Sequence, residues 1–253
     1  MQYALGAAFA AIVAGLAYRA RALSADGAAA AFAIGTLIFG SGGWRAAAVL
    51  FAFFLPATLL SRIGRARKLE LAGARQQPRS GWQVLANGAV AALCAFGAAR
   101  NVVFAAAFAG AFAAASADTW GTEVGELSRA SPVSILTFRR LRPGFSGGVT
   151  ALGVAATLGG SLCVALAAWA VGIAPPASVA AAGVAGALFD SLLGASLQAR
   201  RWCEVCGCEC ETRRHECGSA TVLRRGLGWI ENDGVNFAAT LCGALVAALL
   251  TKP

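Results

Sequence analysis

Residues 101–126 read "NVVFAAAFAGAFAAASADTWGTEVGE". The run up to Ala117 carries no charge, and Asp118, Glu123 and Glu126 then follow within nine residues. An uncharged run of this length is what a helix needs to cross hydrocarbon. A carboxylate beside lipid costs several kcal/mol unless it faces a cavity, water or a partner. The stretch therefore calls for a membrane-spanning helix, and for a reason to gather acids at one end of it.

The rest of the chain agrees with a membrane reading. It is 58% hydrophobic and only 13% charged, against about a quarter charged in soluble domains. Its mean hydropathy is +0.67. Apolar blocks at about 3–18, 27–40, 44–61, 82–99, 102–118, 148–173, 177–198 and 233–250 give about eight spans. Abundant Ala and Gly let such helices approach closely. Ser24 or Asp26 is placed to cap the second span, and Pro56 to kink the third. The N-terminal run lacks a basic leader and reads as a first transmembrane helix. The expected fold is all-α: one polytopic transmembrane domain over residues 1–253, without an internal repeat.

Charge orients it. Nearly all of the 21 Lys and Arg fall between the first and second, third and fourth, fifth and sixth, and seventh and eighth spans. Only Arg45, Arg100 and Lys252 fall on the other side. The positive-inside rule then places both termini on the non-cytoplasmic side, with the longer cytoplasmic loops at about 62–81, 119–147 and 199–232. The net charge of +9 is thus explained by topology rather than by nucleic acid. None of the 12 acids falls on the outer side. The positive-inside rule does not require that, because acids contribute little to it.

Several constellations crowd this face. In "ADTWGTEVGE", Asp118, Thr122 and Glu126 share one helical stripe, and Thr119, Glu123 and Glu126 an adjoining one. Such oxygens suit Mg²⁺, which takes one or two carboxylates plus substrate phosphates; a capped, solvated helix end is the plainer alternative. Asp190, Gly194 and Gln198 share a face in "GALFDSLLGASLQARR" (186–201), with Asp190 the most deeply placed acid. Asn232, Asp233 and Asn236 open the last span, where capping accounts for one polar residue better than for three. Gln83 and Asn87 are again four apart.

In "FRRLRPGFSGGVT" (138–150), Arg139, Arg140 and Arg142 precede a glycine turn at the start of a helix. Arg and helix N-termini both bind phosphate, although an ordinary turn in a basic loop has the same composition. In "WCEVCGCECETRRHECG" (202–218), Cys203, Cys206, His215 and Cys217 form a possible Zn²⁺ set. Cys208 and Cys210 are further candidates, and a loop of reduced thiols is the alternative. Cys94, Cys163 and Cys242 stand singly in helices and read as packing residues.

Taken in order, "SADTWGTEVG", "GGVTALG", "FDSLLGASLQ", the Cys loop with "ECGSAT", and "NDGVN" resemble the transmembrane protein 19 family, also called domain of unknown function 92. The resemblance runs from about residue 24 to 240. It is similar, more distantly, to CTP-dependent polyprenol kinases and phosphatidate cytidylyltransferases. That family includes a plant phytyl-phosphate kinase, so the resemblance implies a membrane-embedded kinase that converts an isoprenoid monophosphate to the diphosphate. CTP or another nucleoside triphosphate would be the donor, with Mg²⁺.

The resemblance places the acidic motif on Asp118, Thr119 and Glu123, and the glycine motif on Gly147, Gly148 and Thr150. The second acidic helix falls on Asp190 and Gln198, and the last motif on Asn232, Asp233 and Asn236. One departure is Ser146, where the family's pattern has Asn before the paired glycines. On these grounds Asp118, Glu123 and Asp190 would hold Mg²⁺ or position the acceptor. Arg139, Arg140, Arg142 and the 146–148 turn would hold donor phosphates. No "GxxxxGK[ST]" phosphate loop is present in the sequence. An ion- or proton-coupled transporter is the rival expectation, since intramembrane carboxylates also suit ion pathways. The implied setting is a prokaryotic inner membrane, with the lipid bilayer, isoprenoid monophosphate and nucleotide as partners.

Overall fold

The computed structural model describes residues 1–64 and 78–251. Arg65, Arg67, Lys68, Glu70, Arg75 and Lys252, all part of the charge pattern above, lie outside the described residues, as does most of the 62–81 loop. Seven helices occur among the described residues: α1 (Gln2–Arg19), α2 (Ala25–Leu60), α3 (Gly81–Ala98), α4 (Val102–Gly125), α5 (Ala151–Ala170), α6 (Pro176–Ser196) and α7 (Asn232–Leu250). Six of them, α2 to α7, are long and apolar enough to cross a membrane.

The 36-residue α2 is not one straight helix. Gly43 takes φ 59°, ψ −149° and breaks it into two arms, a conformation that only glycine adopts without steric cost. Phe9 of α1 touches Phe39 and Trp44 near the break and Phe51 on the second arm, with ring centroids 5.9, 5.1 and 5.7 Å apart. Gln2 Nε2 donates to Phe39 O at 3.1 Å. At the other end Arg62 Nη2 donates to Ala20 O at 3.3 Å. The second arm therefore returns to the level at which α1 ends, and α2 is a helical hairpin. With its arms counted separately there are eight helical segments, and the turn falls between the expected spans 27–40 and 44–61. The break at Gly43 lies in the gap expected between those spans, and Pro56 sits inside the second arm with helical dihedrals.

The core forms around α4. Every residue from Ala105 to Ala117 is buried, as expected of a helix that is apolar on all sides and enclosed by others. It packs against α2, α3, α5, α6 and α7. Small residues make this possible. A Cβ on Gly110 would lie 2.5 Å from Gly243 O, and one on Gly243 would lie 2.6 Å from Gly110 O, so α4 and α7 cross backbone to backbone. Phe112 stacks on Phe53 at 5.5 Å and meets Phe108 edge-on at 5.4 Å.

Helix ends set the polar face. The apolar run stops at Ala117, but α4 continues to Gly125, so the acidic motif is helical and not a loop from about residue 119. Ser24 caps α2 by accepting from Gly27 N at 3.2 Å. Ser80 and Gln83 form a capping box on α3. Thr150 Oγ1 accepts from Gly153 N at 3.0 Å, which starts α5 at Ala151 rather than at 148. Glu231 occupies the N-cap position of α7, so neither Asn232 nor Asp233 takes the capping role.

The loops at this end contain two small antiparallel sheets. β1 (Val133–Ser134) pairs with β2 (Gly148–Val149), with Val133 opposite Val149. β3 (Arg200–Cys203) lies between β4 (Cys208–Cys210) and β5 (Val222–Arg225). Helix accounts for the membrane region, as expected; the sheets are confined to loops, in strands too short to show alternation.

Candidate functional site

α3 begins, and α4 ends, at the same face, where α6 also ends and α7 begins. There the helices surround a cavity of about 420 Å³. α4 lines it with Asp118, Thr119, Thr122, Glu123 and Glu126, and α6 with Asp190 and Ser191. Asn232 and Asn236 come from α7, Asn87 from α3, and Ser146, Gly147, Gly148 and Thr150 from the loop into α5. Residues spread from position 87 to 236 thus meet in one space.

Other expected residues stand elsewhere. Arg139, Arg140 and Arg142 are exposed and do not line the cavity. The pairing of β1 with residues 139–141, through the bridge between Val133 and Arg140, explains this. Ser134 N donates to Arg139 O at 2.9 Å and Leu141 N to Pro132 O at 2.8 Å, so the arginine segment folds back on β1 and turns its side chains outward. Asp233 sits in the first turn of α7 outside the lining, where a carboxylate favours the helix dipole.

Gln198 is buried behind the cavity wall. Its Nε2 donates to Ser146 Oγ at 2.9 Å and to Glu211 Oε2 at 3.0 Å. Gln198 therefore supports the cradle and does not face the cavity.

Two charged residues of the lining, Glu211 and Arg79, were not singled out from the sequence. Glu211, from the Cys loop, accepts from Ser146 N at 2.9 Å and from Ser146 Oγ at 2.7 Å. Arg200 Nη2 donates to Ser146 O at 3.1 Å, and its guanidinium lies 5.2 Å from the Phe145 ring centroid. Ser146 is thus held on both its N–H and its C=O sides. Next to it Gly147 has φ 79°, and a Cβ there would lie 2.5 Å from Ala195 N. No other residue fits at that position.

The second is Arg79, whose side chain enters the cavity just before α3. Its backbone is fixed by Arg79 N donating to Ala22 O at 3.1 Å and by Ser24 N donating to Arg79 O at 3.0 Å. Its Nη2 donates to Ala57 O at 3.3 Å. Burial pulls the guanidinium pKa below its ordinary value, while the Glu123 charge pushes it back up. An arginine remains charged under such opposing effects.

The electrostatics are lopsided. Asp118, Glu123, Glu126, Asp190 and Glu211 line the cavity, with Arg79 as the cationic side chain of that lining. The charges of Asp118 and Glu211 both act on Asp190. Asp190 Oδ2 is buried without a hydrogen-bond partner. Buried carboxylates in this relation need a cation or a proton.

A second, apolar cavity of about 100 Å³ lies among α1, both arms of α2 and α3, lined by Phe9, Ile34, Ile38, Leu50 and Phe53 among others. Arg79, Gln83 and Asn87 line both cavities. Gln83 Oε1 is engaged by Ser80 N at 3.0 Å, and Asn87 Nδ2 donates to Gln83 O at 2.9 Å. Arg79 therefore presents the charge at this junction.

In the Cys loop, Cys203, Cys206, His215 and Cys217 place their ligand atoms within 4.8 Å of one another. All eight cysteines are free thiols. Hydrogen bonds with Ser219, and then with His215, bring Cys217 down to about 6. Its neighbour Cys206 is pushed up to about 12, chiefly by its hydrogen bond with Cys217.

No solved structure matches the chain. It is 28% identical to Protein PGR of Arabidopsis thaliana, over 92% of this chain and 90% of that protein. It is 27% identical to an uncharacterized membrane protein of Methanocaldococcus jannaschii, over 92% and 87%. With Protein VTE6, chloroplastic, of Arabidopsis thaliana it shares 28% identity over 91% and 66%. Residues 8–244, which include every residue that lines the acidic cavity, match the family described as integral membrane protein DUF92, and the chain belongs to that family.

Proposed function

We propose that the protein is a membrane-embedded prenyl-phosphate kinase, which transfers a phosphoryl group from CTP or another nucleoside triphosphate to an isoprenoid monophosphate. The observation that carries this is the meeting of an apolar and an acidic cavity at Arg79. The acceptor has the same two parts, a hydrocarbon tail and a phosphate. A cavity of 150 Å³ holds benzene, so by the same ratio the apolar space of about 100 Å³ seats about four carbons, just under one isoprene unit, and the rest of the tail extends into the bilayer. The similarity to VTE6 and the motif resemblance to a phytyl-phosphate kinase family support the same reading. The basic loops favour a cytoplasmic orientation for this face, in a prokaryotic inner membrane.

Arg79 binds the acceptor phosphate. Ser146, the Gly147–Gly148 turn and the start of α5 at Thr150 also line the cavity; with Ser146 N–H already given to Glu211, donor phosphates would be bound by the N-terminus of α5. An acid-lined cavity repels bare phosphates, and its donor set fits Mg²⁺: hard carboxylate oxygens, one of them the unpartnered Asp190 Oδ2. Asp118 and Asp190 would hold the ion, and Glu123, which acts electrostatically on Arg79, would orient the guanidinium. Bound there, Mg²⁺ supplies charge neutralisation to the phosphates.

In the reaction an acceptor phosphate oxygen bonds to the γ-phosphorus. The bond from that phosphorus to the β,γ-bridging oxygen breaks, and nucleoside diphosphate leaves. The attacking oxygen is already ionised near neutral pH, with a second phosphate pKa of about 6. The carboxylates therefore have no proton to remove, and positioning is the protein's main task.

The test is to incubate the purified protein with prenyl monophosphates of several chain lengths, CTP or ATP, and Mg²⁺. Prenyl diphosphate should accumulate with at least one pair of substrates. Its absence across all of them contradicts the proposal.

A further inference from the structure

We infer that Cys203, Cys206, His215 and Cys217 bind one Zn²⁺, and that this ion holds the loop which delivers Glu211 to the cavity wall. With Zn–S near 2.3 Å and Zn–N near 2.05 Å, tetrahedral geometry sets ligand separations of about 3.8 Å for S···S and 3.6 Å for S···N. Cys203 Sγ and Cys217 Sγ lie 3.6 Å apart, and His215 Nδ1 and Cys217 Sγ 3.3 Å apart. All four ligand atoms lie within 4.8 Å of one another. These are the distances of a ligand set converging on a single point.

Two tight turns bring the ligands together. In the first, Gly207 N donates to Cys203 O at 2.9 Å, and Gly207 has φ 61°. In the second, Gly218 N donates to His215 O at 2.8 Å, with Gly218 at φ 84°, and His215 N donates to Ser219 O at 2.9 Å. Each glycine turn presents a ligand on either side of its bend. His215 Nε2 lies 3.5 Å from Cys208 Sγ. With Nδ1 on the metal, Nε2–H donates to Cys208, the outer contact that fixes a ligating ring. Cys210 Sγ instead points to Thr212 O at 3.8 Å. The six candidates of the sequence are thus sorted into four ligands, one orienting thiol and one bystander.

The loop needs such a staple. β3, β4 and β5 have only three or four residues each, and all of β5 is exposed. Val205 is 74% exposed. A sheet this small has no apolar core to hold it. Yet between the two ligand turns it carries Glu211, whose carboxylate accepts from Ser146 N, Ser146 Oγ and Gln198 Nε2. Two residues on, Arg213 Nε donates to Glu231 at the N-cap of α7. The stapled loop therefore grips both the phosphate-binding turn and the helix that carries Asn232 and Asn236.

Metal binding stands apart from the kinase proposal; only an effect on turnover would rest on it. The test measures zinc in protein purified from zinc-supplemented cells, and amide exchange at residues 145–148 before and after chelation. Wild type, C210S and E211Q should each hold about one Zn²⁺ per chain, and C203S and C217S less than about a fifth of that. Chelation should speed exchange at 145–148 in wild type about tenfold or more and change it little in E211Q, where that grip is already weakened. Wild type without zinc, or C217S with a full complement, overturns the site. Unchanged exchange at 145–148 in zinc-free wild type overturns the coupling to Glu211.

Discussion

In the proposed reaction Asp190 is the residue on which the cavity's chemistry turns. Its Oδ2 has no hydrogen-bond partner, and the Asp118 and Glu211 carboxyl groups act on it electrostatically. Asp190→Asn keeps the shape and removes the charge, so it should lower kcat by about a hundredfold or more while the protein still extracts as a single folded species. Activity within a factor of a few of wild type would remove Asp190 from the ion-binding role.

In the proposed reaction Arg79 anchors the acceptor, so Arg79→Gln should raise KM for the prenyl monophosphate about tenfold or more. KM for the nucleotide should stay near its wild-type value, and Arg79→Lys should recover part of the loss. Equal changes in both KM values would place Arg79 outside the acceptor subsite. The acids and amides of the lining were legible in the sequence because polar residues at helical spacing stand out in an apolar chain. Arg79 was not, being one Arg among many in a basic loop. Glu211 was hidden for another reason: its partner Ser146 is 65 residues away.

At the scale of elements, glycine decides how closely the helices pack. The α4–α7 crossing depends on Gly110 and Gly243, each facing the other's carbonyl oxygen. Gly110→Ala puts a methyl where a backbone oxygen cannot yield, and should destabilise the fold by about 1–3 kcal/mol. Thermal unfolding in detergent checks this; an unchanged midpoint would contradict the close crossing.

Apolar blocks revealed the spans, and basic loops separated neighbouring ones. The Gly43 hairpin followed from that charge pattern and not from any turn signal. The end of α4 was misplaced because hydropathy falls at Asp118, while the helix is carried on by its position among α5, α6 and α7. The β3–β5 sheet was illegible for want of apolar alternation. The proposed zinc ligands, by contrast, are visible as Cys and His spacing.

In the molecule as a whole, one end is chemically rich and the other is packed. Asp118 lies at the limit of a stretch of α4 buried at every residue from Ala105 to Ala117, and the acids gather beyond that limit. This arrangement suits chemistry on a lipid headgroup better than passage across the membrane, and it is why the kinase reading is preferred to a transporter. The family could be reached from motifs in order; the junction of the two cavities could not, since it needs α1, α2 and α3 folded together. The most direct measurement follows the γ-phosphorus of a labelled nucleoside triphosphate in the presence of prenyl monophosphate and Mg²⁺. The account predicts that the label appears as the terminal phosphate of prenyl diphosphate with wild type and not with Asp190→Asn. Label that appears only as inorganic phosphate, or that never leaves the nucleotide, would contradict it.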